Sequence, residues 1–295
     1  MRGESAFQRL KRKLGERGFS PSSLMGQNFL VDANLLRSIA GTFALGAEDL
    51  VVEIGPGPGS LTRELLATGA EVLAFELDPR LGAFLIEEAA GWEHGDRLRL
   101  VLGDILERGR LSPRLFEELS ARGAPPRPYT LMSNLPYSVA GPVLANLGLC
   151  GAPPARVACL VQWEMGRRLA AAPGTKEYGP LGILVQAAFE AKIQKRVSPQ
   201  VFRPRPKVDS ALVTLRLREG ARLLGWAPER REAFGRFLRR LFAARRKALR
   251  NGLKGLGWSG LGLSSAELNR RPEQLGVEEL LGLFHRGFVE EGLDV

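Results

Sequence analysis

A chain of 295 residues, 44% apolar and 25% charged, can bury a full core and is expected to hold one large domain plus a smaller one. Two histidines, His94 and His285, and two cysteines, Cys150 and Cys159, argue against a His-rich metal site, most nucleophile–His arrangements and a disulfide framework. No apolar run approaches the roughly 20 residues of a membrane span, and the basic N-terminus lacks the apolar core of a signal peptide, so a cytoplasmic location is expected.

The net charge of +10 is uneven: residues 1–20 carry +4 and residues 229–254 carry +8, which leaves the body near neutral. Two basic segments on a neutral body point to a polyanion, either nucleic acid or an anionic membrane.

Residues 1–25 read as a flexible, basic N-terminus that includes Lys11, Arg12 and Lys13. Gly26-Gln27-Asn28-Phe29-Leu30 leads into a helix from near Asp32, with Asn28 placed to cap it or to reach a ligand. Leu50 to Ile54 reads as a buried parallel strand. Gly55-Pro56-Gly57-Pro58-Gly59 follows at once, with Ser60 as the expected N-cap of the next helix. Strand, glycine loop and helix make a nucleotide-binding arrangement that fits NAD, FAD and S-adenosylmethionine alike.

The second strand, from Glu71, ends in Glu76-Leu77-Asp78, which puts Glu76 where an acid can bind both ribose hydroxyls. Asp78 is the better cap for the helix from Pro79. A third strand, Leu98 to Leu102, ends in Gly103-Asp104-Ile105, and Asp104 could accept from an adenine amino group. A fourth runs through Leu131 into Ser133-Asn134-Leu135-Pro136-Tyr137. There Pro136 removes a donor and extends Leu135, which tends to set the Asn134 oxygen and the Leu135 carbonyl side by side as acceptors next to the Tyr137 ring. That combination suits the exocyclic amino group of a nucleobase.

Val157 to Gln162, Phe189 to Val197 and Val208 to Leu217 read as further strands, and Trp163 to Ala171 and Gly179 to Ala188 as helices. In the Pro- and Arg-rich loop from Pro199 to Pro206, Phe202 is expected either to tuck under the sheet or to serve as a platform for a base. Residues 228 to about 251 read as one amphipathic helix, and a domain boundary is placed between residues 219 and 220.

Taken together, Gly26–Leu30, Val52–Gly59, Glu76–Asp78, Gly103-Asp104, Asn134–Tyr137, Tyr178-Gly179, Phe202–Ser210 and Arg245–Asn251 resemble, in order and over nearly the whole chain, the motifs of KsgA-type small-subunit ribosomal RNA adenine dimethyltransferases. The resemblance implies an α/β fold: a Rossmann-like seven-stranded methyltransferase sheet with a small all-helical C-terminal domain that binds RNA. It implies S-adenosylmethionine as methyl donor and small-subunit ribosomal RNA, or the assembling small subunit, as partner, with no metal, no membrane and a monomeric protein. By position it assigns Asn28, Leu30, Gly55, Gly57, Glu76, Leu77, Asp104, Ile105 and Asn134 to the cofactor. Asn134, Leu135, Pro136 and Tyr137 would hold the target adenine, with Phe202 on its other face. Arg203, Arg205, Arg245, Arg246, Lys247 and Arg250 would join the N-terminal Lys11, Arg12 and Lys13 on the RNA. Ser138, Gly141 and Trp163 stand where Asn, Thr and Lys are common.

Overall fold

The runs read as strands form a seven-stranded sheet in the computed structural model, which describes residues 12–16, 28–122, 127–258 and 261–290. Short β1 (Phe29–Leu30) precedes α1 (Ala33–Ala40), and β2 (Leu50–Ile54) precedes α2 (Ser60–Leu66). Next come β3 (Glu71–Glu76), α3 (Pro79–Ala89), β4 (Leu98–Leu102), a small hairpin of β5 (Leu106–Glu107) and β6 (Arg110–Leu111), and α4 (Pro113–Ser120). Then follow β7 (Tyr129–Asn134), α5 (Tyr137–Leu149), β8 (Arg156–Gln162), α6 (Trp163–Leu169), α7 (Pro180–Ala188), β9 (Phe189–Val197), β10 (Phe202–Arg203) and β11 (Ser210–Leu217).

The sheet order is β4-β3-β2-β7-β8-β11-β9. β2 lies parallel to both β3 and β7, with Leu50 opposite Glu71 on one side and Tyr129 on the other. The strand order therefore reverses between β2 and β7, and a ligand crevice opens beyond the carboxyl ends at such a switch point. β2 is buried along its whole length, which is why it reads as an apolar run without alternation.

Glu53 is the exception within that run. It is 2% exposed and accepts a 2.7 Å hydrogen bond from the Thr62 hydroxyl on α2. Burial pushes its carboxyl up to about 8, against the Thr62 bond, and the nearby Glu76 adds to the rise. The folded protein thus holds a proton that the unfolded chain releases near pH 4.5. The associated stability is complete below that pH and is lost as the pH rises toward 8, at about 1.4 kcal/mol per unit. Glu53→Gln, neutral at every pH, is expected to melt near wild type at pH 5 and several degrees higher at pH 8. Parallel melting curves at both pH values would contradict a protonated Glu53.

Several local expectations are revised. Gly59, at φ 83°, occupies the N-cap position of α2, and Ser60 is already inside the helix. A Cβ at residue 59 would fall 2.4 Å from Leu85 and 2.6 Å from Trp92, so the loop closes on a glycine. The cap of α1 is Asp32, whose carboxylate accepts from Leu35 N at 2.7 Å, and not Asn28. A helix expected over Val139 to Leu149 starts instead at Tyr137 as α5, because the Pro136 carbonyl already accepts from Val139 and Ala140. Residues 12–16 are helical, which corrects a flexible N-terminus over that stretch. Leu14 is buried with Phe29, Leu81 and Phe84.

The chain divides into two compact units, and not by one cut near residue 219. Met1–Val143, Pro154–Gly166 and Ile193–Leu215 form the first; Leu144–Pro153, Arg167–Lys192 and Arg216–Val295 form the second. Tyr178, Ile183, Leu184 and Ala187 belong to the same apolar cluster as Phe234, Phe237, Leu241 and Phe284, which draws the segment around α7 into the second unit.

The expected single helix from 228 to 251 is two helices, α8 (Pro228–Ala243) and α9 (Leu249–Gly255). Short α10 (Ser265–Asn269) and α11 (Val277–Glu290) follow. The break lets Leu249 and Leu253 fold back toward Leu241, and Gly252 leaves room for that contact, since a Cβ there would stand 2.7 Å from Leu241. Both thiols are free; burial pushes Cys150 up to about 11 and Cys159 to about 12, which leaves them as small apolar residues.

Candidate active site

Four strand ends meet at the switch point. Ile54 ends β2 and Gly55 follows it, Glu76 ends β3, Gly103 and Asp104 follow β4, and Asn134 ends β7. They line a cavity of roughly 830 Å³, measured to its open mouth.

The glycine loop hugs its neighbours. Gly55 and Gly57 have φ of 68° and 56°, and a Cβ on either would meet Pro136 at 2.9 Å or Phe29 at 3.0 Å. Both the backbone conformation and the space exclude a larger residue. Glu76, 6% exposed, locks the loop from below. One of its oxygens accepts from Gly57 N at 3.0 Å and the other from Asp78 N at 2.9 Å. Burial raises its pKa, while these backbone donors act against the rise. With Glu53 protonated, a single negative charge at Glu76 avoids two adjacent buried carboxylates. Asp78 caps α3, and the Arg80 guanidinium holds its carboxyl below the usual range. Asp104 spends one oxygen on Leu106 N at 2.8 Å, which leaves the other for a ligand.

At the far wall, Asn134 Nδ2 donates to the Asn28 carbonyl at 2.9 Å, so Oδ1 is its remaining acceptor. Ser133 Oγ, fully buried, donates to the Ile54 carbonyl at 2.6 Å and ties β7 to β2 at the level of the site. The Tyr137 hydroxyl lies 2.7 Å from Ser210 Oγ on β11, which fixes the ring. Burial raises the Tyr137 pKa against that hydrogen bond, so it stays a neutral phenol.

The cavity brings together Asn28, Gly55, Gly57, Glu76, Leu77, Asp104, Ile105, Asn134, Leu135, Pro136 and Tyr137. Leu77, 60% exposed, offers an apolar surface beside the two acids. Two residues assigned from the sequence lie elsewhere. Leu30 and Phe202 pair across the antiparallel β1–β10 ladder, and their side chains enter the core with Met132, Leu160 and Leu212. Phe202 has no exposed surface, so the tucked alternative holds and its assignment as second stacking face is corrected. The sequence reading also missed Phe29, Ile54, Phe75, Leu81, Ser138 and Val139 on the cavity wall. Phe29 and Ile54 lie inside the quoted motifs, and only adjacency to motif residues could have flagged the others.

The basic residues stand in different surroundings. Arg245 donates to Glu273 at 2.7 Å and to the Lys176 carbonyl at 3.0 Å, so it braces the helical unit. Lys13 is held by both oxygens of Glu88 at 2.7 Å, and Arg12 pairs with Glu16. Lys11 lies outside the described residues. Arg203 is exposed but donates to the carbonyls of Gln200 and Phe202. Arg205, Arg246, Lys247 and Arg250 are exposed. Among the described residues no group of His, Cys, Asp and Glu could hold a metal ion, and no helix is long and apolar enough to cross a membrane.

This donor set fits S-adenosylmethionine: an acid for the ribose, an acid for the adenine amino group, Leu77 and Ile105 for the ring, and a glycine cradle at the strand turn. Comparison with known proteins agrees. The ribosomal RNA small subunit methyltransferase A of Moorella thermoacetica is 38% identical over 275 residues, 91% of this chain and 93% of that one. Its counterpart in Phenylobacterium zucineum is 40% identical over 276 residues, 93% and 90% of the two chains. A dimethyladenosine transferase from Plasmodium falciparum shares the fold, with a TM-score of 0.70 at 21% identity over 89% of this chain and 98% of that one. The 23S rRNA methyltransferase ErmE gives a TM-score of 0.57 at 27% identity over 88% and 99%. A model of the ribosomal RNA adenine dimethylase family matches residues 19–271, and with these strand ends in place the chain belongs to that family.

Proposed function

We propose that this protein methylates N6 of adenine in small-subunit ribosomal RNA, twice on each of two neighbouring adenines in a hairpin near the 3′ end, as the subunit matures. The observation that carries the reading is the meeting of Asn134 and Tyr137 with Glu76 and Asp104 around one cavity. Bound in that cavity, S-adenosylmethionine supplies an electrophilic methyl on a sulfonium.

The chain's own residues do the rest. The adenine amino group is a poor nucleophile because its lone pair is delocalised into the ring. Asn134 Oδ1 and the Leu135 carbonyl accept its two hydrogens and stabilise the positive charge that develops on nitrogen. Tyr137 holds the base by stacking, worth about 1–3 kcal/mol, once it has left its own stack. Alignment of the nitrogen contributes roughly 7–11 kcal/mol toward the barrier. No strong base is required, since the product ammonium loses its proton readily.

The small-subunit assignment is supported by relatives 38–40% identical over more than nine tenths of the chain, against 27% for the large-subunit enzyme. Labelled methyl offered to both subunits, purified from cells lacking the protein, is expected to enter only the small one, at two adjacent adenines. Label in the large subunit would transfer the assignment to the Erm type.

The helical unit contributes the RNA grip through Arg246, Lys247 and Arg250. Neutralising Arg246 and Lys247 together is expected to flatten the salt dependence of RNA binding by about 0.7–0.9 units of slope per lost phosphate contact. Arg245→Gln is expected instead to lower the melting temperature, because it removes the brace on Glu273. An unchanged slope in the first variant would take these residues off the RNA.

A further inference from the structure

Trp163 is the first residue after β8 and opens α6, one strand away from the catalytic turn. Asp209, just before β11, and Ser210, its first residue, hold it together with Tyr137. The main-chain N–H of Trp163 donates to the Asp209 carbonyl at 2.9 Å, and Ser210 Oγ meets the Tyr137 hydroxyl at 2.7 Å. Asn134 lies opposite Leu160 in the β7–β8 register, so each ring stands the same number of residues beyond a paired position, at the same edge of the sheet. The mounting is stiff. A Cβ at Gly166 would lie 2.6 Å from Ala211, so α6 rests directly on β11.

Trp163 itself is half-buried, with the Arg196 guanidinium 5.0 Å from its ring centre. Arg196 is held in turn by Asp209 at 2.8 Å. Arg205 and Lys207, in the segment leading to Asp209, are exposed, and among the described residues they have no ion-pair partner. A half-buried indole on a fixed stretch of backbone, backed by a guanidinium and with free cations on the adjoining loop, is the composition that holds unpaired RNA. The core chemistry does not use it: Trp163 is absent from the cavity wall.

Drawing one adenine into the site leaves its neighbour without a stacking partner. We infer that Trp163, backed by Arg196, is a stacking platform for an unpaired nucleotide that flanks the pair of target adenines, with Arg205 and Lys207 supplying charge to its phosphates. The inference rests on the RNA-methylating reading of the same edge of the sheet.

The test uses the wild-type protein and an RNA hairpin that carries photoreactive 5-iodouridine at either nucleotide flanking the target adenines. Irradiation is expected to leave the adduct on Trp163, mapped by peptide mass spectrometry. In parallel, Trp163→Ala is expected to raise the KM for RNA about 5- to 100-fold, as the loss of one stacked base predicts. Affinity for S-adenosylmethionine should not change, and Trp163→Phe should restore most of the RNA KM. A merely structural tryptophan would move the melting temperature and leave the KM alone. If the wild-type protein methylates the RNA but the adduct falls elsewhere, or the folded alanine variant keeps its KM, the platform is wrong and the methyltransferase reading stands. If the wild-type protein transfers no methyl to RNA, the broader reading fails first.

Discussion

Asn134→Ala is expected to lower the single-turnover rate of methyl transfer by about two to three orders of magnitude, the range found when one preorganised hydrogen-bonding group is removed from a transition-state site. RNA affinity should be largely preserved, because the cations proposed to meet phosphate lie elsewhere. The reason is geometric. Nδ2 is committed to the Asn28 carbonyl, so the amide cannot turn over and Oδ1 is held ready as an acceptor. Alanine deletes that acceptor at the moment nitrogen becomes positive. It also frees the Asn28 carbonyl, so a modest weakening of cofactor binding is expected alongside. A variant with a wild-type single-turnover rate would remove Asn134 from the chemistry.

Glu76→Gln should show the opposite pattern: a large loss of cofactor affinity. The wild-type carboxylate accepts from Gly57 N and Asp78 N, which fixes the glycine loop and the start of α3 around the ribose position. A glutamine can keep one of these bonds but must turn its NH₂ toward a backbone donor, and it loses the charge that strengthens hydrogen bonds to ribose hydroxyls. A charge-assisted hydrogen bond contributes roughly 1.5–3 kcal/mol, so the Kd for S-adenosylmethionine should rise about 10- to 100-fold. Titration calorimetry measures this directly, and the melting-temperature gain from saturating cofactor should shrink in step. Because Glu76 is buried and its pKa raised, the same contacts should weaken in wild type as the pH falls through that raised value. A glutamine variant that binds the cofactor normally would refute the ribose role.

The two substitutions separate the halves of the site, and the separation could be drawn on the sequence before any fold was known. Glu76, Asp104 and Asn134 each end a strand, and a strand end is a local property, set by an apolar run meeting a turn residue. Once three such ends belong to parallel strands, the switch point must collect them on one side. Gly55 and Gly57 were legible for the same reason, since left-handed backbone is a demand that a turn places on its own residues.

Other features depend on partners far along the chain. Phe202 among prolines and arginines could have faced a base or the core; pairing with Leu30 across β1–β10 put it in the core. Arg245 sits in a basic run like its neighbours, and only the approach of Glu273 gives it an acid of its own chain to pair with. The periodicity through 228–251 is compatible with one helix, and the fold-back of Leu249 onto the α8 cluster breaks it. Glu53 looks like any acid in a strand until Thr62 and the surrounding core enclose it. Backbone preference and the order of turn residues are written locally, so they determined the strand ends and the cofactor cradle. Whether a given aromatic or cation faces solvent depends on which distant segment covers it, and tertiary packing alone decided that.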